Sequence, residues 1–221
     1  MPRTSRVVAV GYPHHITQRG NYGQNIFETS RDYLQYLAWL KEYTKKYSFH
    51  VWAYCMMNNH VHFVGVPMES DSLARTLNTL HQRYSLYFNK KKDVRGHLWQ
   101  GRFYSCVLDE RHLHAAVRYV ENNPVTAKIV KEAQDYPWSS ARAHVLGEPD
   151  EILSDGLYML DEIEDWSAYL AEKGDEGLIK NIRQVTRTGL PCGDKTFIKE
   201  MEKMLDRRLT APPRGRPRKK K

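Results

Sequence analysis

The chain has 221 residues, 41% hydrophobic and 11% aromatic, which is enough for one large core or for a core with an appendage. That composition excludes an intrinsically disordered chain, and no apolar run approaches the ~18 residues of a membrane span. The formal charge of +8 is unevenly spread: +8 over residues 1–130, −8 over 131–206 and +8 over 207–221.

A basic body points to a polyanion, since phosphate contacts are what basic surfaces most often serve. Blocks of like charge are usually interaction tails or disordered segments. The start, "MPRTSRVVAVGYP", lacks the apolar stretch of a signal peptide, so the cytoplasm is the expected location. Cys55, Cys106 and Cys192 are odd in number and lack paired spacing, so they read as reduced thiols.

In chain order, "RVVAVG" followed by "HHITQRG" predicts an early strand, and "NYGQNIF" predicts a loop rich in turn formers. From Thr29 the period lengthens. Tyr33, Leu34, Leu37, Leu40, Tyr43 and Tyr47 recur at three or four, so an amphipathic helix is expected with Thr29 or Ser30 as N-cap. "HVWAYCMM" and "HVHFVGVP" predict an antiparallel hairpin turning at "NN" and ending at Pro67. A second helix follows, capped by Ser70 or Asp71, with Leu73, Leu77, Leu80 and Tyr84 on one face. "GHLWQGRFYSCVL" reads as a strand with a glycine-bounded loop. A third helix begins near Asp109 and stops at or before Asn123, because Pro124 cannot continue it. Two or three short helices are expected over 150–206. The pattern predicts an α+β fold: a mainly antiparallel sheet with helices packed on one face and a C-terminal helical extension.

His60 and His62 are the first candidates for chemistry. Two residues apart on a strand, both imidazoles point to one side while Val61 and Phe63 point to the other. The pairs His112/His114 and His14/His15 do not share this property. The first lies on a helix, where two residues turn the chain by about 200°, and the second is adjacent at a strand end. In "RYVENNPV", Tyr119 and Asn123 are four apart and so share a helix face. Two histidines and one amide oxygen would leave a divalent ion with open positions, and mixed N/O ligation suits Mg²⁺ or Mn²⁺. A zinc hydrolase would want a third His or a carboxylate at a matching position, and none is evident.

"NNHVHFVGVP", "GHLWQGRFYS" and "RYVENNPV", in this order, resemble the REP-associated tyrosine transposases. That family belongs to the HUH single-strand endonucleases and is related to the single-tyrosine insertion-sequence transposases. "GYPHHITQRGNYGQNIF" resembles the same family's opening, and the likeness spans about residues 5–145. It implies a ferredoxin-like or RRM-like HUH fold for a catalytic domain over 1–147. The composition then turns acidic, and an acidic helical extension over 148–206, which matches the family only loosely, and a basic, disordered tail over 207–221 are expected. The resemblance also implies a nucleoid-associated bacterial protein acting as a monomer or homodimer. His60, His62 and Asn123 would hold Mg²⁺ or Mn²⁺, and Tyr119 would attack a DNA phosphate to leave a 5′-phosphotyrosine and a free 3′-OH. The partner would be a single-stranded DNA hairpin with a short 5′ guide sequence, near the loop carrying Gln18, Arg19 and Asn21. Asn122 departs from the family, which usually has an apolar residue there.

Single strands are gripped by basic grooves with aromatic platforms, which makes Tyr22, Trp99, Gln100, Arg102 and Phe103 further candidates, with a core role equally open to Trp99 and Phe103. Arg214, Arg216 and Arg218 in "RGRPRK" resemble an AT-hook, or form an unstructured polybasic tail. A non-cleaving DNA-binding regulator on the same fold is the alternative function. The segment from Glu148 to Glu176 carries −10 and could lie over the DNA groove or clasp the basic tail.

Overall fold

The computed structural model describes residues 6–210. Arg214, Arg216 and Arg218 lie outside the described residues. Four antiparallel strands form one sheet: β1 (His14–Arg19), β2 (Phe49–Met57), β3 (His60–Pro67) and β4 (Tyr104–Val107), in the order β2-β3-β1-β4. The helices are α1 (Ser30–Lys46), α2 (Ser72–Lys92), α3 (Glu110–Glu121), α4 (Asn123–Thr126), α5 (Ala141–Leu146), α6 (Met159–Glu162), α7 (Trp166–Ala171), α8 (Glu176–Thr188) and α9 (Lys195–Met204).

The α+β, antiparallel expectation stands, and both faces of the sheet are covered. On one face α1 and α2 pack over Ile16, Phe49, Val51, Tyr54, Met56, Val61 and Phe63. On the other, α3 and α8 pack over Ala53, Cys55, Val64 and Cys106. The helices are therefore not confined to one face. The reason is visible in β2 and β3, which are apolar almost without alternation, the mark of strands buried on both sides. A bulge at Trp52 lets β2 place Val51 and Tyr54 on the same face. Gly65 is required in mid-strand, since a Cβ there would stand 2.5 Å from the His50 carbonyl and 2.7 Å from the Phe49 ring.

The first strand starts later than expected, at His14. Residues 6–9 run outside the sheet, and Val7 and Ala9 pack with Phe197 and Met201 of α9. In α1 the buried stripe is Tyr33, Tyr36, Leu40 and Tyr43; Leu34 is turned to solvent. The helix opens on a capping box between Thr29 and Asp32. α3 starts after Asp109, whose carboxylate accepts from the His112 N–H, and ends at Glu121; Pro124 opens the short α4.

Residues 150–206 form four helices, more than expected. Three of them begin at an aspartate that accepts backbone N–H groups: Asp165 before α7, Asp175 before α8 and Asp194 before α9. Part of the acidity of this segment is thus capping chemistry. Glu151 pairs with Lys41 and Glu172 with Arg118, so other acids tie the segment to the basic body.

Candidate active site

β3 leaves the Asn58–Asn59 turn with His60 and His62 on the face opposite Val61 and Phe63, which are fully buried. The two imidazoles meet edge to face with centroids 5.0 Å apart. α3 crosses this face and brings the Tyr119 ring to 5.4 Å from His62. Two groups far apart in sequence thereby share one space.

Hydrogen bonds decide which nitrogen each histidine offers. Thr186 donates its only hydroxyl proton to the Ile182 carbonyl at 2.7 Å. Its Oγ1, 2.8 Å from His15 Nδ1, must then accept there, which makes Nδ1 the protonated nitrogen of His15. His15 Nε2 is left as an acceptor, so His62 Nδ1 donates to it at 3.0 Å. His62 Nε2 therefore keeps its lone pair. His60 reaches the same state by another route: its Nδ1 donates to the Asn59 side-chain oxygen at 2.6 Å, which also leaves Nε2 bare. Burial, helped by the Arg19 charge, holds His60 down to about 4, and burial with the neighbours His15, His60 and Arg183 holds His62 well below the ordinary range. Both rings are neutral at pH 7.

This donor set fits a divalent ion: two neutral imidazoles whose second nitrogens are pinned, as in metal sites generally. Among the described residues no third His, Cys, Asp or Glu joins the pair, so a further protein ligand would have to be an amide. The Asn123 amide donates from Nδ2 to the carbonyls of Tyr119 at 2.9 Å and Val120 at 3.4 Å, which leaves Oδ1 as the atom it can offer. No hydrogen bond joins Asn123 to either imidazole among the described residues. Asn122 ties the end of α3 to α7, donating to the Leu170 carbonyl at 2.7 Å.

Tyr119 also has a cation against its ring. The Arg183 guanidinium of α8 stands 4.8 Å from the ring centroid. A cleft of about 1020 Å³ opens here, lined by Tyr119, Arg118, Lys131, Lys180 and Arg183, with Glu172 and Glu176 also on its wall. The extension, acidic in sum, thus brings a basic residue to the phenol ring.

The remaining sequence candidates separate into outward and inward groups. Arg19 is exposed and sits opposite His60 across the β1–β3 ladder. Asn21 is half-buried, its N–H donating to the Leu98 carbonyl, and beside it Tyr22 is 97% exposed. Arg102 is exposed. Gln18, by contrast, is buried and donates to the Gly101 carbonyl at 2.9 Å, bracing a loop. Trp99 and Phe103 are core, with the Trp99 indole N–H donating to the His81 carbonyl. His112 is held by Asp109 and Asn181, and His114 faces Glu162, so that pair does diverge.

Sequence reasoning did not find His15, Thr186, Arg183 or Asn59. His14 and His15 do point apart, since His14 bonds the Tyr12 carbonyl and the Ala9 N–H. Only the β1–β3 register shows that His15 faces His62, and no periodicity within one strand carries that information.

The family profile of IS200-like transposases matches residues 9–123, more than half of the chain. The chain belongs to the IS200-like transposase family. The match ends on Asn123 and contains both histidines and Tyr119. No curated protein matches the sequence. Among solved structures, the fold is similar to a REP-associated tyrosine transposase solved bound to a REP hairpin, with a TM-score of 0.54, 18% identity, and coverage of 71% of this chain and 93% of that one. A Deinococcus radiodurans R1 protein described as a transposase aligns at a TM-score of 0.38 and 14% identity, over 55% of this chain and 97% of that one. No helix among the described residues of this transposase is long and apolar enough to cross a membrane.

Proposed function

We propose that this transposase cleaves and rejoins single-stranded hairpin DNA of the REP type, with Tyr119 as nucleophile. The observation that carries the reading is the approach of Tyr119 to His62, 5.4 Å between ring centroids, on a face where both HUH histidines offer a bare nitrogen. A phenol of pKa ~10 is a poor nucleophile at neutral pH. His60, His62 and Asn123 would hold Mg²⁺ or Mn²⁺, which supplies charge stabilisation at the scissile phosphate. Arg183 places a positive charge beside the phenol as its proton is lost. The Tyr119 oxygen forms a bond to phosphorus and the bond to the 3′ oxygen breaks; that oxygen takes up a proton and leaves as a 3′-OH. The 5′ end stays on the enzyme as a phosphotyrosine, and joining is the same exchange run backwards. Strand energy is kept in the ester, so no ATP is required.

Arg19, Asn21 and Arg102 would contact the strand, and Tyr22 would stack on a base. Tyr22 adopts a left-handed backbone, φ 52°, which for a non-glycine residue costs on the order of 1 kcal/mol and is retained where the surroundings fix it. Here they do, because the Asn59 amide donates to the Gly23 carbonyl and the Gly20 N–H donates to the Asn59 carbonyl. The test is a denaturing gel of the full chain with a labelled single-stranded hairpin and Mn²⁺. A shifted covalent band that disappears on chelation is expected; cleavage surviving exhaustive chelation would reduce His60 and His62 to structural residues.

A further inference from the structure

A second basic hollow lies away from Tyr119, on the outer edge of β4. Arg6, Arg102, Arg187 and Arg207 line it, and no Asp or Glu does. Four elements converge there: the N-terminal segment, the loop before β4, the end of α8 and the turn after α9. Arg6 stacks its guanidinium 3.5 Å from the Phe103 ring centroid and donates to the Phe103 carbonyl at 3.0 Å. Arg6, Arg102 and Arg187 pair with no carboxylate among the described residues. Burial, and after it the Arg102 charge, brings the Arg6 guanidinium down to about 10. Three guanidinium groups, those of Arg6, Arg102 and Arg187, gathered with no carboxylate against them are the condition that an anion relieves.

A second observation points the same way. Ser105, on the wall of this hollow, is 1% exposed and its hydroxyl has no hydrogen-bond partner among the described residues. Buried hydroxyls are nearly always satisfied, so one left open on a residue that lines the hollow is a donor still wanting an acceptor. β4 is the edge strand, and its Val107 carbonyl turns outward to the Cys192 N–H. By the alternation of an antiparallel strand, the backbone N–H of Ser105 turns outward too. The dipole of α8 accounts for a cation at its C-terminal end, Arg187, but not for Arg6, Arg102 or the open hydroxyl.

We propose that this hollow is a phosphate site, separate from the one at Tyr119, and that its occupant is a backbone phosphate of the bound DNA. The proposal rests on the hairpin-binding reading above. A phosphodiester offers two unesterified oxygens, which suit the planar fork of an arginine and a single hydroxyl donor. Inorganic phosphate has the same chemistry, and the experiment separates the two.

Hairpin affinity of the full chain is measured by fluorescence anisotropy across a salt series, with Arg187→Gln, Arg187→Lys and Arg6→Gln. Each arginine removed should lower the slope of log K against log salt by about 0.7, the single-strand value per phosphate contact. Affinity near physiological salt should fall about 3- to 10-fold, with Arg187→Lys holding the wild-type slope. A methylphosphonate scan of the hairpin should find one position that weakens wild type but not Arg187→Gln. Arg187 is exposed, so its variant should melt as wild type does. Arg6→Gln gives up core contacts, so Arg187→Gln is the deciding variant. An unchanged slope for Arg187→Gln overturns the site. Saturable binding of inorganic phosphate that DNA does not displace overturns DNA as its occupant. Failure of wild type to bind any hairpin sinks the functional reading, and this site with it.

Discussion

The two faces of the sheet each bury a histidine in an aromatic surrounding, and they treat it differently. His81 of α2 lies on the α1/α2 face, where the Tyr36 hydroxyl closes its Nε2 at 2.9 Å and the Trp99 ring lies 4.6 Å away. Burial brings it to about 3, and nothing further is asked of it. His62 on the other face is equally dry and, like His81, has one ring nitrogen hydrogen-bonded, its Nδ1 to His15. Burial alone therefore does not mark a functional histidine. What separates the two is company: His62 shares its face with the second imidazole of His60 and the Tyr119 ring, whereas among the described residues His81 is ringed by Tyr36, Trp99 and Phe103 alone.

The sharpest way to break this comparison is to remove the oxygen that the open face serves. Tyr119→Phe should abolish the covalent protein–DNA band entirely and leave hairpin affinity within about twofold, since only a hydroxyl is lost. A band persisting in a denaturing gel would move the nucleophile to another tyrosine.

The relay comes next. Thr186→Val keeps the shape of the side chain but removes the acceptor that fixes His15, so His15 and then His62 can take the wrong tautomer. Metal affinity measured by calorimetry should drop about 10- to 100-fold, the usual cost of losing an outer partner of a ligating histidine. Thr186→Ser should restore it to within about threefold. Nitrogen-15 spectra of the metal-free protein should show His62 protonated at Nδ1 in wild type and in Thr186→Ser, and mixed in Thr186→Val. Identical spectra in all three would leave Thr186 a packing residue. The same geometry makes the extension part of the site: a chain ending near Leu146 lacks both Thr186 and Arg183 and should not cleave.

Arg183→Gln tests the cation beside the phenol. A single charged group at a reacting centre is typically worth 10²- to 10³-fold when it contacts the developing charge, and less when it faces a ring. A fall of about 10- to 100-fold in the cleavage rate is expected, with hairpin affinity reduced far less. Equal losses in both would make Arg183 a strand contact only.

The sequence made much of this legible. The H-x-H spacing on β3 and the Tyr119/Asn123 spacing on α3 are local periodicities, and local periodicity survives into any tertiary arrangement. Asp109 and Pro124 bounded α3 for reasons of capping chemistry. Placement across elements was not legible. Leu34 fits a helical stripe as well as Tyr36 does, and only the sheet beneath decides which is buried. His15 looked like an idle neighbour of His14 until the register set it against His62. The acidic segment 131–206 hid helix caps at Asp165, Asp175 and Asp194 and, between the last two, the basic face of α8. Net charge sums over a segment; a site is made by the one side chain that reaches it.

The smallest effect concerns the closed histidine and the pH dependence of stability. His81 is held at about 3 and His14 at about 4 by burial, against about 6.5 in an unfolded chain. The folded values are the lower ones, so the unfolded chain binds more protons as pH falls below 6.5, and stability present at pH 7 is lost from there downward. At pH 5 each such histidine should have cost on the order of 2 kcal/mol. His81→Phe removes one titrating group. It also strips the Tyr36 hydroxyl of its partner, so the variant starts less stable at pH 7, by about 1–3 kcal/mol. The difference between variant and wild type should nevertheless shrink as the pH is lowered, because wild type carries a penalty that the variant lacks. Melting curves at pH 7, 6 and 5 would show this convergence, and cleavage at pH 7 should stay within about threefold of wild type. Parallel curves at all three values would mean that His81 takes up its proton in the folded protein as readily as in the unfolded chain, and that burial on this face carries no acid sensitivity.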